Sequence, residues 1–333
     1  MSELPPLTYA DAGVSLAAAD AVVERLRAAV ESTKTPLVIG SLGGFAGLIS
    51  AARFSDPVLA AGTDTVGSKA LLQRRTGRLH ELGIDLVAMS VNDVITCGAE
   101  PVLFLDCVSV GRLDPDRIAQ LVEGVADGCR QAGCALLGGE TAEMPDLYGP
   151  DDFDVAGFSV GVAERRRLVG GARVAAGDAV IGLASTGVHA NGFTLVRALL
   201  ERAGIDPNDA PAGLLAPTAI YAKAVRELMI VVDVRAMAHI TGGGLPGNLP
   251  RVLPRGLGAR LELASWPRPE VFGWLAGLGV EEDEMRRVFN LGLGYVVVVP
   301  AGEADEAIRI ASNAGHAAYR VGEIVPGDGV ELV

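Results

Sequence analysis

Residues 81–97, ELGIDLVAMSVNDVITC, constrain the fold more than any other stretch of the chain. Leu82, Ile84, Leu86, Val87, Val91, Val94 and Ile95 surround most of the circumference of a helix with this sequence, so the helix must be covered on nearly every side. Gly98 supplies its stop. Yet Asp85, Met89, Asn92, Asp93 and Thr96 recur at helical spacing along one stripe. A carboxylate in such a place has to meet a cation or a hydrogen-bonding partner. The helix contains no Lys or Arg, so the partner is a metal ion or a group brought from elsewhere in the fold.

The elements around this helix alternate. In the first half the pattern predicts strands over 57–61, 101–110 and 154–162, a strand ending at Leu136–Leu137, and helices over 16–30 and 114–132. The basic run Arg165–Arg167 and the turn at 176–178 mark a junction. Beyond it, strands over 179–184, 259–263, 294–300 and 319–325 alternate with helices over 192–202, 218–231, 270–276 and 303–313. The expected fold class is therefore α+β or α/β in two domains, 1–168 and 169–333.

Net charge bears on partners. The formal charge of −13 argues against nucleic acid or an anionic membrane as the main partner. The longest weakly polar stretch, 37–52, is interrupted by four glycines and is shorter than the roughly 20 apolar residues of a membrane-spanning helix. Cys97, Cys107, Cys129 and Cys134 form no CxxC pair, which favours free thiols over a zinc site. The first residues show no basic and apolar leader pattern, so a cytoplasmic location is expected.

Several loops carry candidate chemistry. GSLGGFAGL (40–48), with Gly43 and Gly44, and GTDTVGSK (62–69), with Asp64, Gly67, Ser68 and Lys69, offer free backbone N–H groups suited to phosphate. The second imitates a P-loop, but Ser68-Lys69 reverses the order that a P-loop needs for Mg²⁺. Only 3 of the 28 basic residues are lysines, which makes Lys69 less plausible as surface filler. GGETAEMP (138–145) places Gly139, Glu140 and Thr141 after a strand. Oxygen ligands gathered from separate loops suit Mg²⁺, and Asp64, Asp93 and Glu140 are the expected ligands. Asp106 and Glu143 are expected in supporting roles. STGVHANG (185–192) and HITGGGLPG (239–247) bring His189 and His239. The latter fits a formal G-x-G-x-x-G, but Pro246, Pro250 and Pro254 rule out the long helix a dinucleotide site requires.

Nine segments together resemble the phosphoribosylformylglycinamidine cyclo-ligase, or aminoimidazole ribonucleotide synthetase, family. They are YADAGV (9–14), GSLGGFAGL, GTDTVGSK, GIDLVAMSVNDVITCGAEP (83–101), GGETAEMP, DVAGFSVGV (154–162), STGVHANG, AHITGGG (238–244) and FNLGLG (289–294), in family order along nearly the whole chain. The resemblance implies a two-domain subunit whose N-terminal half pairs with a second copy to close a β-barrel, with ATP bound near that interface and a C-terminal α/β domain. It implies ATP-dependent ring closure of formylglycinamidine ribonucleotide in purine synthesis: ATP phosphorylates the formyl amide oxygen, the amidine nitrogen attacks and phosphate leaves. Carried over residue by residue, it gives Asp64, Asp93 and Glu140 to Mg²⁺ and ATP. Lys69, Gly67, Ser68, Gly43, Gly44, Asn92, Gly139 and Thr141 go to the nucleotide, and His189 and His239 to the catalytic side of the cleft. The chain departs from the family at Ala10, and at Arg25 and Arg27 of the first helix, where relatives often carry lysine. Two rivals follow from the same residues: a small-molecule kinase or selenophosphate-type synthetase on this fold, and a non-catalytic nucleotide-binding scaffold. The former favours aspartate where His239 stands.

Overall fold

The computed structural model describes residues 16–41 and 46–333. Its first part contains α1 (Leu16–Ser32), the short strands β1 (Val38–Ile39) and β2 (Leu48–Ile49), β3 (Pro57–Thr65), α2 (Lys69–Arg75), α3 (Leu79–Val94), β4 (Glu100–Val110), α4 (Pro115–Ala132), β5 (Ala135–Glu143) and β6 (Phe153–Glu164). The second part adds β7 (Ala179–Ala184), α5 (Phe193–Ala203), α6 (Ala222–Val231), β8 (Ala236–His239), α7 (Gly244–Asn248) and β9 (Leu257–Leu261). It closes with α8 (Glu270–Gly277), α9 (Glu282–Val288), β10 (Leu293–Val299), α10 (Ala304–Asn313), β11 (Ala318–Pro326) and β12 (Val330–Leu332).

The result is a mixed α/β fold in two domains, each built on one large sheet, with β1 and β2 paired as a separate two-stranded ribbon. The first sheet has the order β3-β6-β4-β5, antiparallel except for the β4–β5 pair. The second has the order β12-β9-β11-β7-β10-β8 and is parallel only at β12–β9. Sequence periodicity finds the long elements well. Helix α4 begins where Asp114 accepts hydrogen bonds from the N–H groups of Asp116 (3.0 Å) and Arg117 (3.2 Å), ahead of Pro115. In β10 every residue is buried, as an uninterrupted apolar strand covered on both faces requires.

Two expectations shift. The strand expected at 57–61 runs on to Thr65, because its pairing with β6 continues through Asp64↔Gly157 and Thr65↔Ala156. GGETAE, expected as a loop, is the outer half of β5, held parallel to β4 from Leu105↔Gly138 to Val110↔Glu143. Glycine runs read as loops in sequence, yet here the ladder with β4 outweighs their weak strand preference.

Helix α3 is enclosed as its sequence demands, with Leu82, Leu86, Val87 and Val91 fully buried. It lies against the first sheet on one side and crosses α4 on another. The crossing is so close that a Cβ on Gly83 would fall 2.2 Å from the Leu121 carbonyl oxygen, and one on Gly124 would fall 1.9 Å from that of His80. Gly124→Ala should therefore push the two helices apart and destabilise the fold by about 1–3 kcal/mol or more, as overpacking does. Urea titration checks this, and an unchanged midpoint would refute the close crossing. The packing continues past the domain junction: Leu86, Val87 and Leu121 belong to the same cluster as Val225, Leu228, Ile181, Leu183, Tyr295 and Val297. Among the described residues no helix is long and apolar enough to cross a membrane, and the four cysteines are free thiols.

Candidate active site

The polar stripe of α3 faces the second domain, and each of its acids finds a partner there or nearby. Asp85 is fully buried and ion-paired with the equally buried Lys69, 2.8 Å away. It also accepts from Gln73 Nε2 (2.7 Å), from the Thr218 N–H (2.8 Å) and from Thr218 Oγ1 (2.5 Å). Lys69 donates a further bond to the Ala216 carbonyl at 2.8 Å and stands over the Phe193 ring. This corrects the phosphate role expected of Lys69, since its ammonium is consumed by Asp85 and shut off from solvent. Burial pulls the Lys69 pKa down, and the Asp85 charge opposes that pull.

Asn92, expected to touch the nucleotide, is likewise fully buried. Its Nδ2 donates to the Ala219 carbonyl (2.8 Å) and its Oδ1 accepts from the Tyr221 N–H (3.0 Å). It joins the two domains instead. These same bonds explain why the helix expected over 218–231 begins only at Ala222: Asp85 and Asn92 hold residues 218–221 in a non-helical path.

Asp93 is different, with a side chain 54% exposed. Its Oδ1 lies 2.8 Å from Nδ1 of His239, the last residue of β8, whose own side chain is buried. Nε2 of His239 is buried with no hydrogen-bond partner among the described residues. Asp64 joins this pair from the end of β3. Register puts it on the same face as Gly62, which packs against Val94 of α3. Partial burial raises the Asp64 pKa, and the nearby Asp93 charge raises it further. Two carboxylates and a histidine thus lie within electrostatic reach of one another at the seam between the domains.

His189 lies deeper in the same seam. Its backbone is left-handed, with φ of 64°, a conformation that non-glycine residues adopt only when their surroundings impose it. The imposing contacts are visible. Nε2 accepts from the N–H groups of Thr186 (3.1 Å) and Ala219 (3.4 Å), so the ring proton sits on Nδ1, which is buried and unpartnered. Burial, then the neighbouring His239 and Lys69, hold the His189 pKa well below the usual histidine range, so the ring is neutral. Gly294 makes room: a Cβ there would fall 2.3 Å from His189 Cε1 and 2.1 Å from the Tyr221 hydroxyl. Tyr221 lies beside the His189 ring and packs in turn against Tyr295 and His316.

The remaining candidates are not gathered here. Gly67 and Ser68 lie at the start of α2, where Ser68 Oγ is 3.2 Å from Thr194 Oγ1. Gly139, Glu140 and Thr141 are on β5, at the edge of the sheet opposite β3. Three strand spacings separate those edges, roughly 14 Å. Glu140 pairs with Cys107 and so faces away from α3, whereas Asp64 and Asp106 face toward it. Metal–oxygen bonds of about 2 Å cannot span that gap, so one Mg²⁺ within a single chain cannot take Asp64, Asp93 and Glu140 together. Among the described residues no group of three or more His, Cys, Asp or Glu side chains is arranged to hold a metal. Asp106 is buried beside Gly139, and burial pushes its carboxyl up to about 7. Arg25 pairs with Asp116 and Arg27 with Glu24. Gly43, Gly44 and Ala10 lie outside the described residues. Thr218, Tyr221 and Tyr295 belong to no segment singled out by sequence for the site, since a lone Thr or Tyr gives no spacing signal.

A mixed α/β chain in two domains of this kind is the architecture of AIR synthase-like proteins. The family described as AIR synthase related protein, N-terminal domain, matches residues 43–163, and its C-terminal domain counterpart matches 175–333. The chain belongs to this family. It is 52% identical over 332 residues to phosphoribosylformylglycinamidine cyclo-ligase of Sorangium cellulosum (strain So ce56), covering 96% of this chain and 95% of the relative. It is 49% identical over 337 residues to the protein of the same name from Synechococcus sp. (strain RCC307), covering 97% and 98%. Among solved structures, thiamine-monophosphate kinase from Stenotrophomonas maltophilia K279a superposes with a TM-score of 0.72 at 19% identity, over 94% of this chain and 95% of that one. Hydrogenase maturation protein HypE in complex with ATP gives 0.66 at 20% identity, over 91% and 86%. At such identities these two likenesses speak for the fold.

Proposed function

We infer that this chain is a phosphoribosylformylglycinamidine cyclo-ligase, closing the ring of formylglycinamidine ribonucleotide at the expense of ATP to form aminoimidazole ribonucleotide. The observation that carries the reading is the near-complete coverage of two cyclo-ligases at about half identity by a chain whose acids and histidines meet in one seam. His239, where the rival kinase and selenophosphate-type enzymes favour aspartate, is in contact with Asp93. The paired acids suit Mg²⁺, which accepts one or two carboxylates with phosphate oxygens and water, so Asp64 and Asp93 are the residues that would hold it. Bound there, the ion would neutralise charge on the transferred phosphoryl group. His239, backed by Asp93, orients that carboxylate, and the neutral His189 offers an N–H donor rather than a base. Gly67, Ser68 and the 40–48 loop provide phosphate contacts, and we divide the chain into domains at 168/169.

We also propose a cytoplasmic homodimer built on the uncovered face of the first sheet. Leu59 (69% exposed), Phe158 (42%) and Leu105 (36%) share that face, opposite the one covered by α3. A second copy would cover them and remove the free edges of β3 and β5. Glu140 faces the same side from β5, where a nucleotide held near the dimer seam would meet it. Phe158→Glu should produce monomers. Light scattering at micromolar concentration giving one 34.3 kDa chain for the wild type would remove this interface.

The activity test is direct. With formylglycinamidine ribonucleotide present, ADP, phosphate and aminoimidazole ribonucleotide should appear in equal amounts. ADP release without cyclised product would return the choice to a kinase, and no ADP release to a scaffold.

A further inference from the structure

Residues 216–221 form a strap, several of whose backbone groups are held by side chains of other elements. Lys69 holds the Ala216 carbonyl (2.8 Å), Thr186 Oγ1 the Pro217 carbonyl (2.5 Å), Asp85 the Thr218 N–H and hydroxyl, and Asn92 the Ala219 carbonyl and Tyr221 N–H. A further bond leads to the seam: the Ala219 N–H donates to His189 Nε2. Together with the Thr186 N–H, it fixes which ring nitrogen carries the proton. The orphaned Nδ1–H left behind meets no acceptor among the described residues, although burial normally guarantees one.

We propose that Asp85 is a positioning residue for the cyclisation: acting through Thr218 and the strap, it locks His189 in the Nδ1–H tautomer, as a fixed hydrogen-bond donor to a substrate oxygen. Asp85 never reaches the cleft itself. Its carboxylate is fully buried and joined to four donor groups, three of which belong to Lys69 and Thr218. The strap is thus pinned to an ion pair in the first domain, while the histidine it holds belongs to the second. A donor aimed where negative charge develops lowers the barrier only if it is already in place before reaction. The proposal rests on the cyclo-ligase reading for the identity of the substrate, but the tautomer does not.

The experiment uses the full chain with ¹⁵N-labelled histidine. The chain has four histidines, so the His189 signals can be assigned against His189→Gln. Wild type should show a pyridine-type Nε2 and a protonated Nδ1, unchanged from pH 6 to 8. Asp85→Asn tests the residue itself, but it leaves Lys69 buried against a neutral amide and can fail to fold. Thr218→Val keeps the Lys69–Asp85 pair and removes one bond to the strap. It should blur the tautomer and lower kcat by about 10- to 100-fold with KM for ATP changed little, the size of effect expected for a misplaced group. Thr218→Ser should restore both. The proposal is overturned if Thr218→Val keeps the wild-type His189 signals, whether or not kcat falls. If wild type shows the tautomer but makes no cyclised product, the cyclo-ligase reading fails instead.

Discussion

Lys69→Met should destabilise the folded chain by about 3–5 kcal/mol, the usual consequence of removing one partner from a buried ion pair. Methionine fills a similar volume, so little of the loss comes from a cavity. What remains is a carboxylate at Asp85 with no exposure and no cation. Gln73 and Thr218 still donate to it, which places the loss toward the lower end of that range. Urea denaturation measures it. If Lys69 instead served phosphate, the variant would keep its stability and lose ATP affinity, and that outcome would defeat the geometry described above.

Asp93→Asn should do the reverse. The side chain is 54% exposed, so stability should change by well under 1 kcal/mol, as for other surface substitutions. Asparagine keeps the shape and can still accept from His239 Nδ1 through its amide oxygen. Only the charge is lost, and a cation would then be held by Asp64 alone. We expect kcat to fall by about two to three orders of magnitude, the range typical for losing one electrostatic stabiliser. A variant with normal stability and near-normal turnover would take Asp93 out of the cation site. A variant that melts early would make it a structural acid.

Much of this was legible in the chain. The sequence of α3 announces a covered helix with a polar stripe, and the demand that its acids find partners is met. What periodicity cannot give is the partner. Lys69 precedes Asp85 by 16 residues in what looks like a phosphate loop, and Thr218 follows it by 133. Glu140 failed to join Asp64 for a related reason. Read as a loop, GGETAEMP could bend anywhere, but as a strand parallel to β4 its residues alternate faces, and the register turns Glu140 away. The tautomer of His189 depends on two backbone N–H groups, which no side-chain pattern records.

The core running from Leu86 through Val225 to Tyr295 has one more consequence. The family matches end at residue 163 and resume at 175, as if the chain were two separable parts. Cutting there would strip apolar surface from both pieces, take Thr218 from Asp85, and leave Asn92 and Asp93 without the partners they have in the second half. The border between the family matches is therefore no border in the packing, and each half relies on the other to cover its core.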